Sequence, residues 1–107
     1  MLEIVFRRVK ENQVDRLRAW LSELNERADE VRETFRQETV RHEAAYLLRD
    51  ESGPILIYAI EAEDPDLGHA VAAASPLPID VQHREVMGSV LGGPVDAELL
   101  YECRLEG

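Results

Sequence analysis

Residues 54–60, Pro54-Ile55-Leu56-Ile57-Tyr58-Ala59-Ile60, carry no charge on either of the two faces that a strand presents. Side chains alternate across a strand, so a half-buried strand shows a polar residue at every second position. This one does not, and both of its faces are expected to be covered. Upstream, Asp50-Glu51-Ser52-Gly53 is a turn signal and Thr39 to Arg49 has a strand pattern, so the two segments form a hairpin. Further back, Leu2, Ile4 and Phe6 alternate with Glu3, Val5 and Arg7 in a first strand that ends near Val9.

Between that strand and the hairpin, Val14, Leu17, Leu21, Leu24, Ala28, Val31 and Phe35 recur at spacings of three and four, the signature of one long amphipathic helix, with Asn12 as its cap. Asp15 with Arg18, Glu23 with Arg27, Asp29 with Arg32 and Glu33 with Arg36 fall at helical spacing on the outer face. The heptad spacing also suits a coiled coil, but it lasts only three repeats between short strands, which favours packing on a sheet. After the hairpin, Asp64-Pro65 starts a short helix through Ala74, built of Leu67, Ala70, Val71 and alanines and ended by Pro76 and Pro78. A third helix from Asp80 places Met87 and Val90 on one stripe, stops at Gly92-Gly93-Pro94, and is followed by a last strand from Ala97 to Arg104. The order predicts a single α+β domain over residues 1–107, a ferredoxin-like split βαβ with a four-stranded antiparallel sheet and helices on one face. Helices on one face leave the other side of the third strand bare. A second copy of the chain is the simplest cover, which makes a homodimer through the sheet faces, a dimeric α+β barrel, the expected assembly.

Twenty-two aspartates and glutamates face twelve basic residues, a formal net charge of -10, and Lys10 is the sole lysine. At molar ionic strength the Debye length shrinks to ~3 Å, where a carboxylate-rich surface keeps a protein hydrated without repelling itself. The scarcity of lysine favours a halophilic protein over an acidic mesophilic one. Nucleic acid and anionic membrane are excluded as partners, because both need clustered Lys/Arg and these arginines are scattered among carboxylates. No apolar run is long enough for a membrane span, and the N-terminus runs into a strand pattern with no signal-peptide core, so a cytoplasmic location is expected. Cys103 stands alone, which rules out an internal disulfide, and its place in the last strand suits a buried small hydrophobe better than a nucleophile.

Two residues break the apolar patterns. His83, in the first turn of the third helix, shares a stripe with Met87 and Val90, so it points inward. Burial and the helix dipole both oppose its protonation, and a neutral imidazole can serve as a base. Glu43, mid-strand, shares a face with Ala45 and Leu47, where a carboxylate needs a partner. His83 reaching Glu43 would make an acid/base dyad of the kind that moves protons in isomerases. A histidine satisfied by a structural carboxylate accounts for the same residues. Glu38, Tyr46, Tyr58, Arg7 and Tyr101 are candidates to line a pocket beside them, Tyr58 and Glu38 as assisting groups. Trp20, one position off the heptad stripe, either borders the pocket or covers the helix seam, the seam being favoured. His42 points to the opposite face from Glu43, and His69 lies on the short second helix. No metal-ligand spacing, glycine-rich phosphate loop or dinucleotide fingerprint is present, so neither metal nor cofactor is expected.

Glu38, Glu43, the stretch Ser75 through His83 with Ile79-Asp80, and Pro94-Val95-Asp96 together resemble an uncharacterised family of small proteins in the dimeric α+β-barrel superfamily. That superfamily includes small monooxygenases, sugar mutarotases and lactone isomerases, and the resemblance implies the fold rather than a reaction. The first helix lacks the histidine of the mutarotase-like pattern. Two functions stay open: a cofactor-independent, isomerase-like acid/base enzyme acting on a small polar molecule, and a non-catalytic ligand-binding or structural dimer module.

Overall fold

The computed structural model describes residues 1–105. Strand β1 (Leu2–Val9) leads through a 3₁₀ turn at Glu11–Gln13 into α1 (Val14–Glu26) and α2 (Ala28–Glu38), followed by the hairpin of β2 (Val40–Asp50) and β3 (Gly53–Ala62). Helices α3 (Pro65–Ala74) and α4 (Pro78–Val90) come next, and β4 (Leu91–Pro94) closes the sheet. The strands are ordered β2-β3-β1-β4, with every neighbouring pair antiparallel. Register places Glu43 opposite Ile60, Ala45 opposite Tyr58 and Leu47 opposite Leu56 on β2 and β3, and Val5 opposite Tyr58 across β1 and β3.

The core lies between the sheet and the helices. Val9, Val14, Leu17, Leu56 and Val90 form its buried centre, with Leu47, Tyr58, Val86 and Met87 packed around it. Each fully buried aliphatic side chain contributes about 1.5–3 kcal/mol. Leu56 and Val9 fix the helix-facing parity, so Leu2, Ile4 and Phe6 of β1 point to the other face, with Ala44, Tyr46 and Leu48 of β2 and Ile57 and Ala59 of β3. That open face is apolar. Leu2 and Ile4 of β1 and Tyr46 and Leu48 of β2 are 42–64% exposed on it, whereas on β3 between them Ile55 is buried and Ile57 and Ala59 are half-buried.

Several expectations are corrected. The long helix is two, broken at Arg27, whose backbone (φ -104, ψ 35) leaves the helical region while its N–H is shared between the Glu23 and Leu24 carbonyls. At this bend the Arg27 guanidinium bonds Glu23, Glu30 and Gln82 and lies over the Trp20 ring. All four expected surface pairs survive the break, Asp15–Arg18 at 3.8 Å being the loosest. Asn12 is no cap, because the 3₁₀ turn occupies its position and Gln13 precedes α1 without a side-chain bond. The last strand is Leu91–Pro94 rather than Ala97 to Arg104. Pairing with β1 ends at Arg7 opposite Pro94, beyond which residues 95–105 have no strand neighbour and Cys103 is exposed. Helix α4 also begins earlier than expected, with Pro78 in its first turn instead of ending α3.

The end of α2 is pinned from two sides. Thr39 caps it in the left-handed region (φ 59), and its hydroxyl accepts from the Asp64 N–H at 2.9 Å. Asp64 in turn caps α3 by accepting from the Leu67 N–H. Gly68 lets α3 lie against α2, since a Cβ there would stand 2.7 Å from the Glu38 carbonyl oxygen.

Candidate functional site

Between the helices and the sheet lies a cavity of about 230 Å³. Its floor is Glu43, Tyr58 and Ile60; α2 adds Thr34, Phe35 and Glu38, α3 adds His69, and α4 adds Asp80, His83 and Arg84. The chain thus brings Glu38, Glu43, Tyr58 and His83 to one space. A wider opening of about 450 Å³ continues past Glu43 and Tyr58 toward the β2 edge, walled by Leu24, Asn25, Ala28 and Arg32 near the helix break. Tyr46 and Tyr101 are elsewhere, on the open sheet face and in the terminal segment, 64% and 81% exposed. Arg7 lies on the helix-facing side but is not among the cavity walls. His42 is on the opposite face from Glu43, and His69 sits with Nε2 2.8 Å from a Glu3 carboxylate oxygen. No group of three or more His, Cys, Asp or Glu among the described residues converges as a metal site.

The electrostatics follow from burial. Glu43 is pushed up to about 7, first by desolvation and then by the Glu38 charge. Glu38 is raised too, by burial and by Asp80, against the opposing influence of Thr34 and His69. Tyr58 is held above its ordinary value by burial and by Glu43, so its phenol stays protonated. The Tyr58 hydroxyl is buried and has no hydrogen-bond partner. Leaving such a group unpaired costs about 1–3 kcal/mol. Glu43 and Tyr58 are diagonal neighbours on one sheet face, since Tyr58 pairs with Ala45.

His83 is lowered by burial, with Asp80 working in the other direction, and is therefore neutral near pH 7. Its Nδ1 accepts from the Trp20 indole N–H at 2.9 Å. A neutral imidazole whose Nδ1 accepts carries its proton on Nε2, so His83 offers a donor. No hydrogen bond joins His83 to Glu43 among the described residues; the two meet through the cavity. The Tyr58 ring meets the His83 ring edge-on, with centroids 6.4 Å apart. Chemically, the arrangement sets one carboxyl group poised near neutrality against two neutral donors.

The match to known families spans this whole assembly, residues 2–105. The chain belongs to the Family of unknown function (DUF6176). No curated protein matches it closely enough to lend it an activity. In this DUF6176 domain one contributor escapes a reading of sequence patterns. Trp20, 7% exposed at the α1–α4 seam, sets the His83 tautomer. The signal available is its type: a buried indole N–H requires an acceptor, and His83 is an inward-pointing one.

Proposed function

We propose that the chain is a cofactor-independent acid/base enzyme, isomerase-like, acting on a small polar molecule that carries a carbonyl group. The carrying observation is the buried, unpartnered Tyr58 hydroxyl in the same cavity as a Glu43 carboxyl held near 7. A substrate carbonyl oxygen accepting from Tyr58 and from His83 Nε2–H would relieve the orphaned donor. Glu43 as carboxylate takes a proton from the carbon next to that carbonyl. The C–H electron pair forms the enolate double bond, and the charge on oxygen is met by the two donors. Glu43, now a carboxylic acid, returns the proton on the same face, either to the carbon it left or, in an α-hydroxy carbonyl, to the former carbonyl carbon. In the second case the hydroxyl proton passes to the former carbonyl oxygen and the hydroxyl carbon becomes the new carbonyl. Burial keeps the Glu43 proton affinity high, and the Glu38 charge adds to it. The cavity suits a small substrate and is below the size of a nucleotide site.

Hydrogen–deuterium exchange at carbon tests this, with a panel of small hydroxyketones, ketoacids and lactones followed by NMR in D₂O. Wild-type protein accelerates exchange in at least one member, and Glu43→Gln lowers that rate about 10²- to 10⁴-fold. Absence of exchange and of any binding across the panel would overturn the enzyme reading. The Trp20–His83 bond favours a second reading, a ligand-binding or structural dimer in which His83 ties α4 to α1. Binding without exchange selects it.

The strand order β2-β3-β1-β4, with helices following β1 and β3, supports the ferredoxin-like arrangement. The open apolar face supports a homodimer joined through the sheets as a dimeric α+β barrel. Net charge and lysine scarcity support a halophile's cytoplasm as its setting.

A further inference from the structure

The segment after β4 is exposed throughout from Asp96 to Leu105 and without regular structure. It is nonetheless written like a strand. Ala97, Leu99, Tyr101, Cys103 and Leu105 alternate with Glu98, Leu100, Glu102 and Arg104. Leu99, Leu100 and Tyr101 are 75–83% exposed and Leu105 is 100% exposed. So much apolar surface on a segment that makes no ladder is costly in water, about 25 cal/mol per Å². The segment does not close onto its own sheet. Between it and Leu2, Ile4 and Phe6 of β1 a space of about 740 Å³ stays open.

We infer that residues 95–105 form an exchanged arm, which crosses to a second copy of the chain and adds a strand to that copy's sheet while the two open faces pack together. This rests on the homodimer reading above and adds the element that locks it. Three observations select a second copy as the occupant. The middle of the open face, from Ile4 and Phe6 through Ile57 and Ala59 to Ala44 and Tyr46, carries no charge that would recruit a charged macromolecule. Each chain bears both the face and the arm, so a two-fold axis satisfies both at once and the assembly closes. The space between arm and face is lined by apolar side chains from both and has room for several apolar side chains of a partner's face. The strand that receives the arm is the partner's β2, because Val40–Asp50 is a long edge with one side unpaired, whereas β4 is short and leads into an arm of its own.

Light scattering and amide hydrogen exchange on the full chain in molar KCl test the proposal, with the double variant Leu99→Asp/Tyr101→Asp checked for folding by circular dichroism. The expected result is a dimer at twice the 12.2 kDa chain mass. Amides of the arm and the outward amides of β2 become protected together, and the protection is lost on dilution. The double variant stays folded and raises the dimer dissociation constant at least about tenfold. A dimer with an unprotected arm, and with unchanged affinity in the variant, overturns arm exchange and leaves sheet-face pairing standing. Arm protection that persists in a monomer means that the arm docks on its own chain, which also overturns it. A monomer with an unprotected arm overturns both exchange and homodimer.

Discussion

At the scale of single residues, the site is built from side chains that the fold leaves uncomfortable. Tyr58 has an orphaned hydroxyl, so Tyr58→Phe should stabilise the ligand-free protein by about 0.5–1.5 kcal/mol in denaturant titrations while weakening binding of any carbonyl ligand. A destabilised variant would mean that the phenol has a partner in solution. Glu43 supplies a pH signature. Its value is 4.5 ordinarily and about 7 in the fold, so between these the folded state holds the extra proton. The stability it contributes is therefore full below about 4.5 and lost as pH climbs through 7, about 1–3 kcal/mol in all. Denaturation of wild type against Glu43→Gln across that range should show the difference growing in favour of the variant, and a pH-independent difference would contradict a raised value. Glu43 and His83 were legible in the sequence because each interrupts an apolar stripe. The bond that orients His83 was not, since the direction of the Trp20 indole depends on how α1 crosses α4.

At the scale of elements, the cavity exists because α2 ends where it does. Gly68 sets the approach of α3 to the Glu38 carbonyl, and Gly68→Ala must push those backbones apart. The expected cost is about 1–3 kcal/mol in thermal or chemical melts. Unchanged stability would show that the two helices separate freely. The strands, the hairpin and the α3 start could be read from alternation, turn residues and Asp64-Pro65. The break at Arg27 could not, because the apolar spacing runs through it without glycine or proline, and the Gln82 contact that Arg27 makes there comes from a distant helix. The terminal strand failed for a different reason. Its alternation is present, but a strand is a relation between two segments, and within one chain residues 97–104 have no neighbour.

At the scale of the molecule, twenty-two acidic residues against twelve basic ones oppose both folding and association at low salt. Screening should therefore raise the melting temperature steadily as KCl goes from about 0.2 to about 3 M, the span over which the Debye length falls to a few Å. A flat or falling series would remove the halophilic reading. The helical surface pairs work the other way, each worth only a few tenths of a kcal/mol and weakened by the same salt. The net slope is then set by the overall charge excess rather than by those pairs.

Trp20 is the sole tryptophan of the chain, and its indole nitrogen touches the imidazole that faces the cavity. Emission excited at the red edge of protein absorbance thus comes from one fluorophore with one hydrogen-bond acceptor. Protonating His83, or drawing its ring toward a bound molecule, alters that acceptor directly. A molecule entering the cavity beside His83 is therefore expected to shift Trp20 emission, readable without label or dye.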